Sequence, residues 1–225
     1  SINTKKISLI AETYDKESLL FAESLKAFKS YKIPSSCLND GDIIKTLKKI
    51  NKPVILGIGG AEFKETAYAY NLLKKNSSNI TLMCGFQNFP TKVYEAKLSQ
   101  IIKIKKCFKS NIGFADHTNA ELKHLAFGIP LMAYTLGANI IEKHITKDRR
   151  QKGKDYYSSL NPDEFSEFVS FIKTASNALG NFDKWTLSKA EKKYKKFTKR
   201  FAVANRSIKK GETITKNNID FKRTN

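Results

Sequence analysis

The chain has 225 residues, with 41 Lys or Arg against 21 Asp or Glu, a formal net charge of +20, and 40% hydrophobic residues that include 15 Phe and 9 Tyr. That much bulky apolar material excludes an intrinsically disordered chain, and no run of about 18 apolar residues is present to cross a membrane as a helix. A positive field attracts polyanions and small anions alike. Only five of the basic residues are arginines, at 149, 150, 200, 206 and 223. Proteins that read bases lean on arginine forks, so nucleic acid is not expected as the main partner.

In chain order, residues 7–11 (ISLIA) predict a strand, and 16–29 predict a helix with Asp15 as its N-cap and Leu19, Leu20, Glu23 and Ala27 on one stripe. Further strands are predicted at 31–35, 53–57, 80–84, 111–115 and 139–144, separated by helices over about 41–50, 60–75, 93–108 and 119–136. The strands are short and rich in Ile and Val, as in a parallel sheet covered on its faces. Their starts recur every 22 to 31 residues or so, the length of one βα unit. Six such units without a Gly-x-Gly-x-x-Gly motif predict a (β/α) barrel of the TIM type, incomplete, with about six of its eight units, over residues 1–182. Two units are expected to be absent, because the first predicted strand lies so near residue 1. The sheet is then expected to have an open edge, unless a second copy fills the gap.

After the last strand, KDRRQKGKDYYSSLNPDEF reads as a loop, followed by a helix over about 162–179 with Asn161 or Ser159 as cap and Gly180 just past its end. A charged linker helix is predicted within 183–198. From 199 to 225 the pattern turns to short β segments around a Lys209-Lys210-Gly211-Glu212 turn, the opening of a small β domain. Cys37, Cys84 and Cys107 are odd in number and widely spaced, without a C-x-x-C pair, so reduced and mostly buried thiols are expected. The start, SINTKKISLI, lacks the apolar core of a signal peptide, so a cytoplasmic protein is expected.

In such a barrel the chemistry sits at the C-terminal ends of the strands. The strand at 111–115 runs into Asp116, His117 and Thr118, and the one at 139–144 contains Glu142, Lys143 and His144. Two of the three histidines therefore end neighbouring strands, about 4.8 Å apart, where they could share one divalent ion or serve as hydrogen-bonded structural histidines. His124 falls within a helix and is expected to have no role. Gly57, Gly59 and Gly60 form either a phosphate cradle or a tight βα turn.

The stretches NIGFADHT, LGANIIEKHITKDR and KGKDYYSSLNPDEF, with KINKPVILGIGGAEFKE and Phe89-Pro90-Thr91, are similar in order and spacing to the sialic-acid synthase family. The terminal RFAVANRSIKKGETIT resembles the antifreeze-like (SAF) domain that follows the barrel there. The resemblance implies a homodimeric transferase that condenses phosphoenolpyruvate with an N-acetylated amino sugar, such as N-acetylmannosamine, to a nonulosonic acid for surface glycans. It implies a divalent ion, manganese or another such as magnesium or cobalt, on His117 and His144. Lys32 and Ser35 would meet phosphoenolpyruvate, and Glu142 and Asp155 the sugar hydroxyls, with Lys32 and Glu142 as the catalytic groups. Gln87 and Asn88 would touch substrate from a loop one residue longer than the family's. Arg223 would reach the sugar bound in a partner subunit.

The departures from the family cluster on the phosphate side. Its Thr-Pro-Phe-Asp is Glu12-Thr13-Tyr14-Asp15 here, which puts a carboxylate where an anion should bind. Gly57 and Ala115 replace serines, Met83 a histidine and Phe89 a tyrosine. Truncation of a longer chain and divergence to another substrate, or to no catalysis, both accommodate this pattern.

Overall fold

The computed structural model describes residues 7–75, 79–86, 88, 91–180 and 185–223. Six strands, β1 (Leu9–Glu12), β2 (Phe28–Ile33), β3 (Val54–Gly57), β4 (Ile80–Cys84), β5 (Asn111–Asp116) and β6 (Ile140–Lys143), form one sheet in that order. Every neighbouring pair is parallel. Between them run α1 (Lys16–Ser24), α2 (Gly41–Ile50), α3 (Phe63–Leu73), α4 (Ser99–Cys107) and α5 (Lys123–Thr135), and α6 (Pro162–Ser176) follows β6. The sheet curls into a half-barrel, as the incomplete TIM-type reading requires.

Alternation along the strands sorts the side chains into two layers. Tyr31, Ile33, Val54, Leu56, Ile80, Leu82, Ile112 and Phe114 face outward and form the main core with Leu19, Ile43, Leu47, Leu73 and Ile101 of the helices. Ile55, Met83 and Ala115 form a separate cluster on the inner face. Asp15 caps α1 through the Ser18 N–H, and Asp40 caps α2 through the Asp42 and Ile43 N–H groups.

Several boundaries differ from expectation for local reasons. The helix expected over 16–29 stops at Ser24, because Lys26 turns into the left-handed region (φ 52°) and the chain re-enters the sheet at Phe28. The helix expected over 93–108 is broken at Lys97 (φ 43°) into a short 3-10 turn, Val93–Ala96, and α4. The helix expected from 119 begins at Lys123, after a turn in which the Asn119 side chain accepts from the Glu121 N–H. The expectation of mostly buried thiols is corrected. Cys84 is buried and Cys37 half-buried, while Cys107, the last residue of α4, is exposed.

Among the described residues the sheet ends at β1 and at β6, as the open-edge expectation has it. On β1, Leu9 and Ile10 are 45% and 51% exposed, and Ile140 of β6 is 37% exposed. At the C-terminal ends of the strands the loops stack directly. A Cβ at Gly59 would lie 1.9 Å from the Gly85 carbonyl oxygen, and one at Gly85 (φ 96°) would lie 2.2 Å from that of Ala115. Close backbone approach is therefore what Gly59 serves, in keeping with the tight-turn reading.

A second compact unit begins at Gly180. Within it, α7 (Lys189–Thr198) is capped by Ser188, and β7 (Arg200–Ala204) pairs antiparallel with β8 (Ile219–Arg223). The helix expected as a linker groups with this ribbon. Among the described residues no helix is long and apolar enough to cross a membrane.

Candidate active site

The inner face of β5 and β6 is set by their register, which pairs Ala115 with Glu142 and Asp116 with Lys143. Alternation then sends Ala115, His117, Glu142 and His144 inward, and Asp116 and Lys143 toward the helices. The two imidazoles come together, with ring centroids 5.1 Å apart and planes tilted by 55°. His117 Nδ1 is buried and has no hydrogen-bond partner. Burial first, and then the neighbouring His144, holds the His117 imidazole below its ordinary pKa, against the pull of Asp116 and Glu142. A neutral imidazole with a bare buried nitrogen beside a second imidazole fits a divalent ion. Among the described residues no cluster of three or more His, Cys, Asp or Glu side chains is placed to hold one, so the protein would offer these two nitrogens.

Lys32 lies beside Glu12 in the register of β1 and β2. Its Nζ donates to Glu142 Oε1 at 2.6 Å and lies 3.4 Å from Glu12 Oε2. The Lys32 side chain is 15% exposed. Burial works to lower its pKa, but Glu142 and then Glu12 outweigh it, so the ammonium is held above its ordinary value. Glu142 thus pairs across the inner face with Lys32. Lys143 is paired with Asp116 instead, and Arg149 with Glu164. Tyr14, just past β1, is 61% exposed. Its hydroxyl is pushed up chiefly by Glu12, and Asp155 is among the weaker charges acting on it.

Other expected site residues are placed less directly. Ser35 opens a 3-10 turn after β2, and its backbone N lies 3.4 Å from where a Cβ at Gly57 would sit. The Asn88 N–H donates to Thr91 Oγ1, and Thr91 bridges to Thr118 beside His117. Gln87 and Phe89 lie outside the described residues. Asp155 sits in the loop after β6 in a left-handed conformation (φ 61°), and its carbonyl accepts from the Ser158 and Ser159 hydroxyls. Arg223 ends β8 in the second unit, opposite Arg200, and does not belong to the barrel unit. His124 lies exposed within α5.

Sequence reasoning missed the partnership of Glu12 with Lys32 and that of Asp116 with Lys143. The second was available as a signal. A lysine flanked at i−1 and i+1 by inward-facing residues of a strand must point outward into the helix layer, where it needs a counter-charge.

The model of the NeuB family matches residues 1–184. The N,N'-diacetyllegionaminic acid synthase of Campylobacter jejuni is 34% identical over 220 residues, which cover 96% of this chain and 64% of that protein. The pseudaminic acid synthase of Helicobacter pylori is 31% identical, with 97% of this chain and 62% of that protein covered. The crystal structure of an N-acetylneuraminic acid synthetase from Leptospira borgpetersenii superposes with a TM-score of 0.76 at 28% identity, over 85% of this chain and 64% of that one. The chain therefore spans less than two thirds of the length of these relatives. With the curled six-stranded sheet and the paired histidines at its C-terminal end, the family match leaves one assignment: the chain belongs to the NeuB family.

Proposed function

We propose that the chain carries most of the barrel of a nonulosonic-acid synthase, which condenses phosphoenolpyruvate with an N-acetylated amino sugar of the N-acetylmannosamine type. The observation that carries this reading is the meeting, on one inner face, of an ammonium held between two carboxylates and a pair of imidazoles. Lys32 offers the positive charge for an anionic donor. Glu142 can pass from Lys32 to a sugar hydroxyl when the anion takes its place, which couples entry of the two substrates. His117 and His144 would hold a divalent ion, manganese foremost, and such an ion polarises an acceptor aldehyde when bound. Asp155, Asn88 and Gln87 would contribute hydrogen bonds to the sugar, Ser35 to the donor, and Arg223 would act in a partner subunit of a homodimer. The antifreeze-like character of the second unit and a cytoplasmic setting, where phosphoenolpyruvate is available, belong to the same reading.

Glu12 and the apolar Ile55–Met83–Ala115 layer favour a second reading, in which the chain binds metal or sugar without phosphoenolpyruvate chemistry. Phosphate release from phosphoenolpyruvate separates the two. Release that requires N-acetylmannosamine and Mn²⁺ together supports synthesis. Mn²⁺ uptake by calorimetry without release, abolished by His117→Ala or His144→Ala, supports the second reading.

A further inference from the structure

Behind the two histidines, on the opposite face of the same strands, lies a buried ion pair that the proposed chemistry does not use. Lys143 Nζ donates to Asp116 Oδ2, and both side chains are only 1% exposed. Lys143 Nζ also reaches the Ala126 carbonyl of α5 at 3.5 Å. Asp116 Oδ1 accepts from the Thr118 N–H at 3.2 Å and from its hydroxyl at 2.5 Å. The pair therefore ties three things together: the end of β5, the end of β6 and the turn that follows His117. Each tied residue stands next to a histidine, since Asp116 precedes His117 and Lys143 precedes His144.

The structure assigns Asp116 and Lys143 as positioning residues that fix the approach of the His117 and His144 imidazoles from the outer face of the sheet. This rests on the reading of the two histidines as metal donors. Two physical facts support it. β6 is an edge strand among the described residues, with Ile140 37% exposed and its neighbour β5 on one side only. Its far side is held just past the strand, where the His144 carbonyl accepts from the Leu160 N–H and the Thr146 N–H donates to the Leu160 carbonyl, so the tie to β5 is the side-chain link that sets the residue before His144 against the residue before His117. Second, a buried ion pair is a costly way to join two strands, because desolvation offsets most of the attraction, and an apolar pair of similar volume is often as stable. A charged pair gains something an apolar one lacks, namely direction. Asp116 uses both oxygens at once, one on Lys143 and one on Thr118, and so sets the rotation of the chain on each side of His117.

The test separates position from stability. The 225-residue chain is compared with the double variant Asp116→Asn/Lys143→Met, in which the asparagine keeps an acceptor for Thr118 and neither charge is left unpaired. Three quantities are measured: the thermal midpoint, the nuclear Overhauser contact between the His117 and His144 ring protons without metal, and the affinity for Co²⁺ from its visible absorption. The expected result is a midpoint close to that of the parent, a weakened ring–ring contact and a Co²⁺ affinity lower by roughly 10–100-fold, the scale of an outer partner of a metal ligand. Glu164→Gln, which removes a remote ion pair, is expected to leave the ring contact and the affinity unchanged. A double variant that folds and retains both overturns the proposal. If the parent takes up no Co²⁺, the metal reading falls, and the ring contact alone decides: its loss in the double variant supports positioning and its retention overturns it. If the double variant does not fold, Thr118→Val takes its place, with the same two readouts and the same decision.

Discussion

Lys32 and Glu142, 110 residues apart in sequence, meet at 2.6 Å on the inner face of the sheet, and Glu12 stands 3.4 Å from the same ammonium. An anion that binds Lys32 must work against both carboxylates. Replacing Glu12 with threonine removes one of them, and phosphoenolpyruvate binding is expected to tighten about tenfold, or ~1.4 kcal/mol. Lys32→Met should weaken it further than the parent. Isothermal titration of the three proteins checks the order, and an affinity unmoved by Glu12→Thr would show that Glu12 does not oppose the anion.

Arg149 grips Glu164 with two parallel hydrogen bonds, of 2.6 and 2.8 Å, and ties the loop after β6 to the start of α6. That contact, with burial opposing it, holds the Glu164 carboxyl below its ordinary pKa. A depressed carboxylate contributes stability above its unfolded value of about 4.3, and that contribution is lost as pH falls through the folded value. Glu164→Gln should therefore cost about 1 kcal/mol at neutral pH, with the difference from the parent fading below about pH 4. Urea unfolding across the pH range measures both. A cost that stays constant down to pH 3 or so would contradict the linkage.

Gly59 has no room for a methyl group, because the Gly85 carbonyl occupies the place where it would go. Gly59→Ala must push the loops after β3 and β4 apart, at about 1–3 kcal/mol. A shift in the urea midpoint of that size is expected. A neutral substitution would show that the loops separate freely.

The three thiols should differ sharply toward an aromatic disulfide reagent. Cys107 is exposed and should react first, and Cys37, whose Sγ donates to the Tyr14 carbonyl at 3.2 Å, more slowly. Cys84 is buried, and burial pushes its thiol up to about 12, so it should react only on unfolding. Labelling followed by peptide mass mapping gives the order directly.

The strands were legible because Ile- and Val-rich runs recur at the interval of a βα unit, and β3, β4 and β5 lie within one residue of their expected spans. The paired histidines were legible for the same reason, since position at a strand end implies position at the C-terminal rim. Helix ends were not, where a left-handed lysine at 26 or 97 broke a run that composition alone would continue. Lys32 carried no local mark among so many lysines. Glu12 is its register partner on the neighbouring strand, while Glu142 comes from the last strand of the sheet and reaches it only through the curvature.

The order of the sheet has a consequence for how the protein forms. Each strand pairs with the next one in the chain, from β1 through β6. The contacts that build the sheet are therefore short in sequence, and each new βα unit can dock on the edge left by the one before. Assembly can proceed progressively from one end to the other, without waiting for distant segments to find each other. The Lys32–Glu142 pair is the exception, since it links the second strand to the sixth. It can form only after the sheet has curled, so it should be among the last contacts made on folding and among the first released when the curl relaxes.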